Sequence, residues 1–237
     1  MRLRVALLVL LFVGWAWLPS ATCAQTGSFD SVEISGAAIV QFTQGPAEQV
    51  RVEGDEDARQ SVDVEVRQGV LHIRPNGSWK FWSAQRARIA ITARDLRRVT
   101  ISGAADFSAT QPVQCESLDV NISGSGLARF DKLQAESLRF RVSGAGDGQM
   151  AGSANELQIV VSGRGEFRGE NLQSRRAKVV VNGIGEVRVW ATQWLGVNVS
   201  GVGTVDYWGT PLVERQSSGV AKINERGPKP LPLPTRP

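Results

Sequence analysis

One phrase recurs down the C-terminal half of this chain and constrains its fold more than any other feature: alternating apolar residues, then Ser-Gly or Asn-Gly, then a small residue or a second glycine. It stands as Val99-Thr-Ile-Ser-Gly103, Val120-Asn-Ile-Ser-Gly124, Phe140-Arg-Val-Ser-Gly144, Ile159-Val-Val-Ser-Gly163, Val179-Val-Val-Asn-Gly183 and Val197-Asn-Val-Ser-Gly201. A degenerate copy ends at Gly219, and an outlying one, Val32-Glu-Ile-Ser-Gly36, lies far upstream. From Gly103 the glycines step by 21, 20, 19, 20, 18 and 18 residues, a period typical of repeat architectures. Within each copy the apolar positions alternate, as in Leu118, Val120, Ile122 and Leu138, Phe140, Val142, and a period of two means strand. A second apolar position follows each glycine, at Phe107, Phe130, Met150, Phe167, Val187 and Val205. Each repeat therefore carries at least two inward-facing segments joined at a glycine corner, which is one coil of a solenoid.

At such a corner glycine supplies either positive φ or close backbone approach, and the Ser or Asn before it can hydrogen-bond the corner backbone. Coils stacked at about 4.8 Å would set these residues in a ladder. A sandwich or barrel of hairpins does not demand the same corner in every repeat. A leucine-rich repeat would show its Asn-ladder pattern, and a left-handed hexapeptide helix a six-residue subperiod; neither is found. The fold predicted is all-β: a β-solenoid of the right-handed parallel β-helix type, with 18–21 residues per coil.

The repeats place the solenoid at residues 99–226. Residues 25–98 are β-rich but less regular, with clean alternation in Gln49-Val-Arg-Val-Glu-Gly54, Ser61-Val-Asp-Val-Glu-Val66 and Arg88-Ile-Ala-Ile-Thr92; they are predicted to start or cap the stack, whose ends must be covered against edge pairing. Residues 227–237 are too Pro-rich for a strand and read as an extended, disordered tail.

The first 24 residues read as a secretory signal peptide: Arg2 and Arg4 form the basic n-region, Val5 to Leu18 is an almost unbroken apolar run, and Thr22-Cys23-Ala24 offers a small-residue cleavage site. That run is short of the roughly 20 apolar residues a membrane span needs, so no transmembrane segment is expected after cleavage. Lipidation at Cys23 is disfavoured, because Ser20-Ala21-Thr22 lacks the aliphatic-then-small pattern of bacterial lipoproteins. Cys115 would then be alone and without an intramolecular disulfide, a buried thiol or an intermolecular partner being its two readings. Without Arg2 and Arg4, 25 basic residues face 23 acidic ones. Basic residues such as Arg86, Arg88 and Arg94 alternate with apolar ones, which argues against nucleic acid as a partner.

These residues resemble the family of the putative auto-transporter adhesin, head GIN domain. The resemblance rests on Phe29-Asp-Ser-Val-Glu-Ile-Ser-Gly36, Val50-Arg-Val-Glu-Gly-Asp-Glu56, Gly69-Val-Leu-His-Ile73 and the repeated Val-x-Ile-Ser-Gly-x-Gly phrase from Val99 to Gly203, covering about 29–225. It implies a β-solenoid at the cell envelope or surface, periplasmic or extracellular, with adhesion as its label and no catalytic residues. No run of alternating strands long enough for a transmembrane barrel follows the repeats, so self-transport is not expected.

Enzymes on β-helices exist, so a solenoid does not by itself exclude catalysis. Stacking by one repeat would align Asp106, Leu127, Asp147, Glu166, Glu186 and Thr204, a carboxylate row that could bind a cation, supply an acid/base pair or simply solvate a corner. His72, the single histidine, has neither the ligand partners of a zinc site nor a nucleophile elbow, and the Gly-x-Gly corners precede no helix of a dinucleotide fingerprint. No catalytic residue, metal or cofactor is expected. The candidate binding residues are Trp79, Phe81 and Trp82 in Ser78-Trp-Lys-Phe-Trp82, either an exposed contact surface for a protein or glycan or a cap folded over the solenoid end. Trp190, Trp194 and Trp208 read as core or C-terminal capping. The expected function is a non-catalytic, exported, adhesin-like binding module of the envelope; the alternatives are a polysaccharide-active enzyme using the acidic row and a self-associating structural module.

Overall fold

The computed structural model describes residues 27–54, 56–76 and 87–229. In chain order the strands are β1 (Ser31–Ile34), β2 (Ala38–Gln44), β3 (Gln49–Glu53), β4 (Val62–Arg67), β5 (Val70–Pro75), β6 (Ala87–Ala93), β7 (Arg98–Ile101), β8 (Asp106–Ala109) and β9 (Val113–Ile122). They continue as β10 (Ser125–Val142), β11 (Ala145–Val161), β12 (Arg164–Val181), β13 (Ile184–Val199), β14 (Val202–Trp208), β15 (Leu212–Ser217) and β16 (Val220–Glu225), with one short helix, α1 (Glu56–Gln60). The molecule is the all-β solenoid that the repeats dictate.

The strands leading into the Ser-Gly corner stack in the order β5-β1-β7-β9-β10-β11-β12-β13-β15, all parallel. Those leaving it stack as β6-β2-β8-β10-β11-β12-β13-β14-β16. β10 to β13 serve both faces, each passing through an irregularity, such as that between Phe130 and Leu133, where the chain turns the second corner. Period two then sends every other residue inward. Ile101, Ile122, Val142, Val161, Val181 and Val199 form one fully buried row, and Phe42, Phe107 and Phe130 stack with centroids 6.1 and 5.6 Å apart.

Stack order is not chain order at the N-terminal end. Val32 and Ile34 pair with Val99 and Ile101, so the outlying copy of the phrase lies directly beneath the first regular one, and residues between them build outward through β5 and β6. β3 and β4 then pair antiparallel to β6 and β5, covering an end that would otherwise offer free parallel edges. At the opposite end polar residues close the core: Arg215 and Ser217 lie over Val197 and Val199, and Tyr207 accepts from Arg215 at 3.3 Å while donating to Glu225 at 3.2 Å.

The corner glycines owe their identity to close approach. None of Gly103, Gly124, Gly144, Gly163, Gly183, Gly201 and Gly219 has positive φ, yet a Cβ on any of them would fall 2.0–2.2 Å from the carbonyl oxygen of the corner glycine one coil earlier. Backbone bonds hold each step. At Gly124, the N–H groups of Ser123 and Gly124 both donate to Ile101 O (2.9 and 3.2 Å), and Ser125 N–H donates to Gly103 O at 2.9 Å. Ser35 and Ser102 add hydroxyl donation to Ile73 O and Ile34 O.

Candidate functional site

Register brings the sequence-predicted row together. Asp106 and Asp147 flank Leu127, Glu186 lies between Glu166 and Thr204, and Glu166 N–H donates to Asp147 Oδ1 at 2.9 Å. Beside this row the corner bends concavely into a groove of about 880 Å³ running from Ala104 to Val220 and Lys222. Six coil steps of about 4.8 Å make it roughly 29 Å long. Its floor is glycine, including Gly146, Gly165 and Gly185. Its C-terminal rim is the paired ladder Ile184–Val202–Val220, whose side chains are 53%, 52% and 71% exposed.

The carboxylates of the row are already partnered. Period two sets Arg168 on the same face as Glu166, and its Nε and terminal nitrogen reach the two Glu166 oxygens at 2.8 and 2.6 Å. Arg188 bridges Glu186 at 2.6 Å and Glu166 at 3.3 Å. The hydrogen bond from Arg168, against a partial desolvation and aided by the charges of Arg168 and Arg188, holds the Glu166 carboxyl below its ordinary range. A general acid needs the opposite shift. The row is therefore an ion-paired ladder suited to stiffening and solvating the corner.

One step further along the same strands, Asp206 is buried. Burial alone would raise its carboxyl, but hydrogen bonds from Arg226 (2.9 Å) and Asn224 (2.7 Å), with the charges of Arg226 and Arg188, outweigh it and lower the pKa. A carboxylate whose folded pKa is depressed stabilises the fold above its unfolded value of about 3.9 and loses that contribution as pH falls through the folded value. Asp206→Asn is expected to cost about 1–2 kcal/mol at pH 7 and progressively less below pH 4. Urea titrations of both proteins at pH 7 and pH 3 check this, and a penalty that is undiminished at pH 3 contradicts it.

His72 pairs through Nδ1 with Glu33 Oε2 at 3.2 Å on the neighbouring strand. Cys115 is half-buried and free; desolvation pushes its pKa up to about 11, which keeps it a poor nucleophile. Among the described residues no group of three or more His, Cys, Asp or Glu could hold a metal ion, and no helix is long and apolar enough to cross a membrane. Trp79, Phe81 and Trp82 lie outside the described residues, as do residues 1–24.

The three C-terminal tryptophans separate. Trp190 is buried, and the Lys229 ammonium lies 5.5 Å from the centroid of its ring and 5.3 Å from that of Trp208, holding Lys229 against both. Trp194 is different: the inward alternation of Leu195, Val197 and Val199 puts it on the outer face, partly exposed.

Fold and site together define a glycine-laddered, parallel β-solenoid with a concave corner groove and ion-paired carboxylates. The chain belongs to the family described as putative auto-transporter adhesin, head GIN domain, whose model matches residues 28–211. A putative adhesin from Bacteroides fragilis shares the fold with a TM-score of 0.82 at 21% identity, over 86% of this chain and 94% of that one. A putative adhesin from Parabacteroides distasonis gives a TM-score of 0.63 at 22% identity over the same shares, 86% and 94%. A protein described as a putative lipid binding protein, also from Parabacteroides distasonis, gives 0.64 at 19% over 86% and 94%. No curated protein matches the chain.

Proposed function

We propose that this protein is an exported, non-catalytic module of the cell envelope that holds an extended macromolecular partner, protein or glycan, along its solenoid surface. The observation that carries the reading is the corner groove: about 880 Å³, open along its length, with a rim of Ile184, Val202 and Val220 that the fold leaves more than half exposed. Buried instead, these three side chains would each stabilise a fold or complex by about 1.5–3 kcal/mol, so an aliphatic ladder in the open suits a contact surface. Export rests on the Arg2-to-Ala24 segment, and the absence of catalysis on the arginine-paired carboxylates of Glu166 and Glu186.

The test is saturable binding of labelled protein to isolated cell envelopes of the producing organism. Ile184→Asp combined with Val202→Asp changes only exposed positions and is expected to weaken that binding at least tenfold; the two new carboxylates are strand neighbours and lower the melting temperature modestly, leaving the protein folded at the assay temperature. Absence of saturable binding by the unaltered protein, or equal binding by the double variant, would overturn the reading.

A further inference from the structure

We propose that the outer face around Trp194 is a second, separate binding site, and that its ligand is an acidic polysaccharide bearing uronate carboxylates. The site lies on the strands entering the Ser-Gly corner, apart from the corner groove, and does not rest on it.

At the centre of this face stands a glycine that no turn requires. Along the outward row Asp119, Arg139, Gln158, Lys178, Gly196, Glu214, every member but one carries a long or charged side chain. Gly196 is the exception, in mid-strand, where glycine costs order and often marks a close approach. The close approach here is the indole of Trp194, two residues earlier on the same face: a Cβ at residue 196 would come 2.3 Å from its Cη2 and 2.8 Å from its Cζ2. The ring thus lies down over the backbone of its own strand. Its N–H donates to Glu214 Oε1 at 2.9 Å on the next coil, and the Arg176 guanidinium carbon sits 5.3 Å from the ring centroid on the previous coil. Both contacts fix the plane of a large aromatic ring that remains partly exposed.

Hollows flank the ring on both sides along the stacking axis. One, of about 310 Å³, is lined by Arg139, Glu156, Gln158, Arg176 and Lys178 before reaching Trp194. The other, of about 370 Å³, continues from Trp194 past Gly196, Asn198 and Glu214 to Gln216. The face is a trough crossing the coils with an aromatic platform at its centre. A polymer of C–H-faced sugar rings fits such a platform, stacking one ring on the indole while hydroxyls reach Gln158, Asn198 and Gln216; the acidic side chains of a peptide carry charge without a ring to place there.

Charge selects the kind of sugar. Arg168, Arg188 and Arg226 elsewhere on the molecule are matched by carboxylates. Here Arg139 is bonded to the neutral Gln158 at 2.9 Å, Arg176 meets the indole ring, and Lys178 has no ion-pair or hydrogen-bond partner among the described residues. Of the nearby carboxylates, Asp119 is paired with Arg141, while Glu156 and Glu214 remain, the latter keeping its charge as it accepts from the indole N–H. Three cations against these two carboxylates leave one positive charge in excess beside the platform, and a carboxylate on the ligand would balance it.

Affinity electrophoresis of the purified protein through gels holding polygalacturonate, neutral dextran or poly-glutamate tests this. Polygalacturonate is expected to retard the protein, more strongly at low salt than at 0.5 M, and the other two are not. Trp194→Ala is expected to weaken retardation at least tenfold and Lys178→Glu several-fold, while Trp194→Phe, which keeps a ring, retains most of it. Because Lys178 is a surface side chain, its variant reports on the site even if Trp194→Ala lowers folding yield. The proposal is overturned if polygalacturonate does not retard the unaltered protein, if poly-glutamate retards it equally, or if folded Trp194→Ala and Lys178→Glu migrate like the parent. The groove variant Ile184→Asp/Val202→Asp is expected to keep polygalacturonate binding, so failure at one site is distinguishable from failure at the other.

Discussion

Replacing Gly144 with alanine is expected to cost about 3–4 kcal/mol, a large effect for a single methyl group. The added Cβ would sit 2.2 Å from Gly124 O and 2.2 Å from Ser123 O, far inside van der Waals contact. Both obstacles are backbone atoms, so no rotamer change relieves them. The coil can only lift, and lifting stretches the bonds from Ala145 N–H to Gly124 O (2.9 Å) and from Ser143 N–H to Ile122 O (2.9 Å). In a stack where stability is carried by nearest-neighbour interfaces, the loss falls at the middle of the array. Urea unfolding should show a lowered midpoint. Gly27→Ala is the control, since nothing stands within 4 Å of a Cβ there, and its effect should stay within about 0.5 kcal/mol. A Gly144→Ala protein as stable as the control would mean that the ladder does not need glycine.

That result also marks where the sequence stops being readable. The repeat announces a corner glycine in every coil, but two physical needs produce the same residue, positive φ and close approach. The choice belongs to the neighbouring coil, which a local pattern cannot see. Placement of the N-terminal strands has the same character. Val32-Glu-Ile-Ser-Gly36 is legible as a copy of the phrase, and that likeness is why it can seat beneath Val99 to Gly103. β5 and β6 carry alternation without the phrase, so nothing local tells that they stack outside β1 and β2 or that β3 and β4 cover them in antiparallel.

For the candidate sites the division falls between faces and partners. Period two and the coil length place Asp106, Asp147, Glu166 and Glu186 in one row, and the same parity sets Arg168 and Arg188 beside them, so the neutralised ladder follows from the spacing Glu166-Phe-Arg168 and Glu186-Val-Arg188. Parity likewise puts Trp194 outside, because Leu195, Val197 and Val199 go in. The cation it meets, Arg176, depends on irregularities in the register of β12 and β13, between Gly169 and Gln173 and between Ser174 and Arg176. Such shifts arise from how each second corner packs, and the glycine count does not encode them. The tryptophans grouped by proximity in sequence thus separate into a clamped pair, Trp190 and Trp208, and a platform, Trp194.

Truncating Phe107 to alanine should cost about 3–5 kcal/mol and, unlike a truncation in the middle of the stack, split the unfolding into steps. Its ring is fully buried and bridges Phe42 on β2 to Phe130 on β10. It therefore fills the junction where the chain rejoins the stack after its outward excursion through β3 to β6. From β7 to β16 adjacent coils follow each other directly along the chain, so a weakened interface there is still tethered by a short connection. At this junction β2 and β8 are far apart in sequence and are joined side by side through three residue pairs, Ile39 with Asp106, Val40 with Phe107 and Gln41 with Ser108. A cavity here should do more than lower the urea midpoint: it should uncouple the N-terminal rungs from the rest. Hydrogen exchange is expected to show amides of β1, β2, β5 and β6 losing protection at lower urea than those of β10 to β13. Phe140→Ala, which removes a buried ring paired with Phe167 at 5.0 Å in the middle of the stack, should cost a comparable amount yet leave unfolding concerted. If Phe107→Ala also unfolds in one step with uniform loss of protection, the junction is no weaker than any other coil interface, and the out-of-order stacking carries no energetic seam.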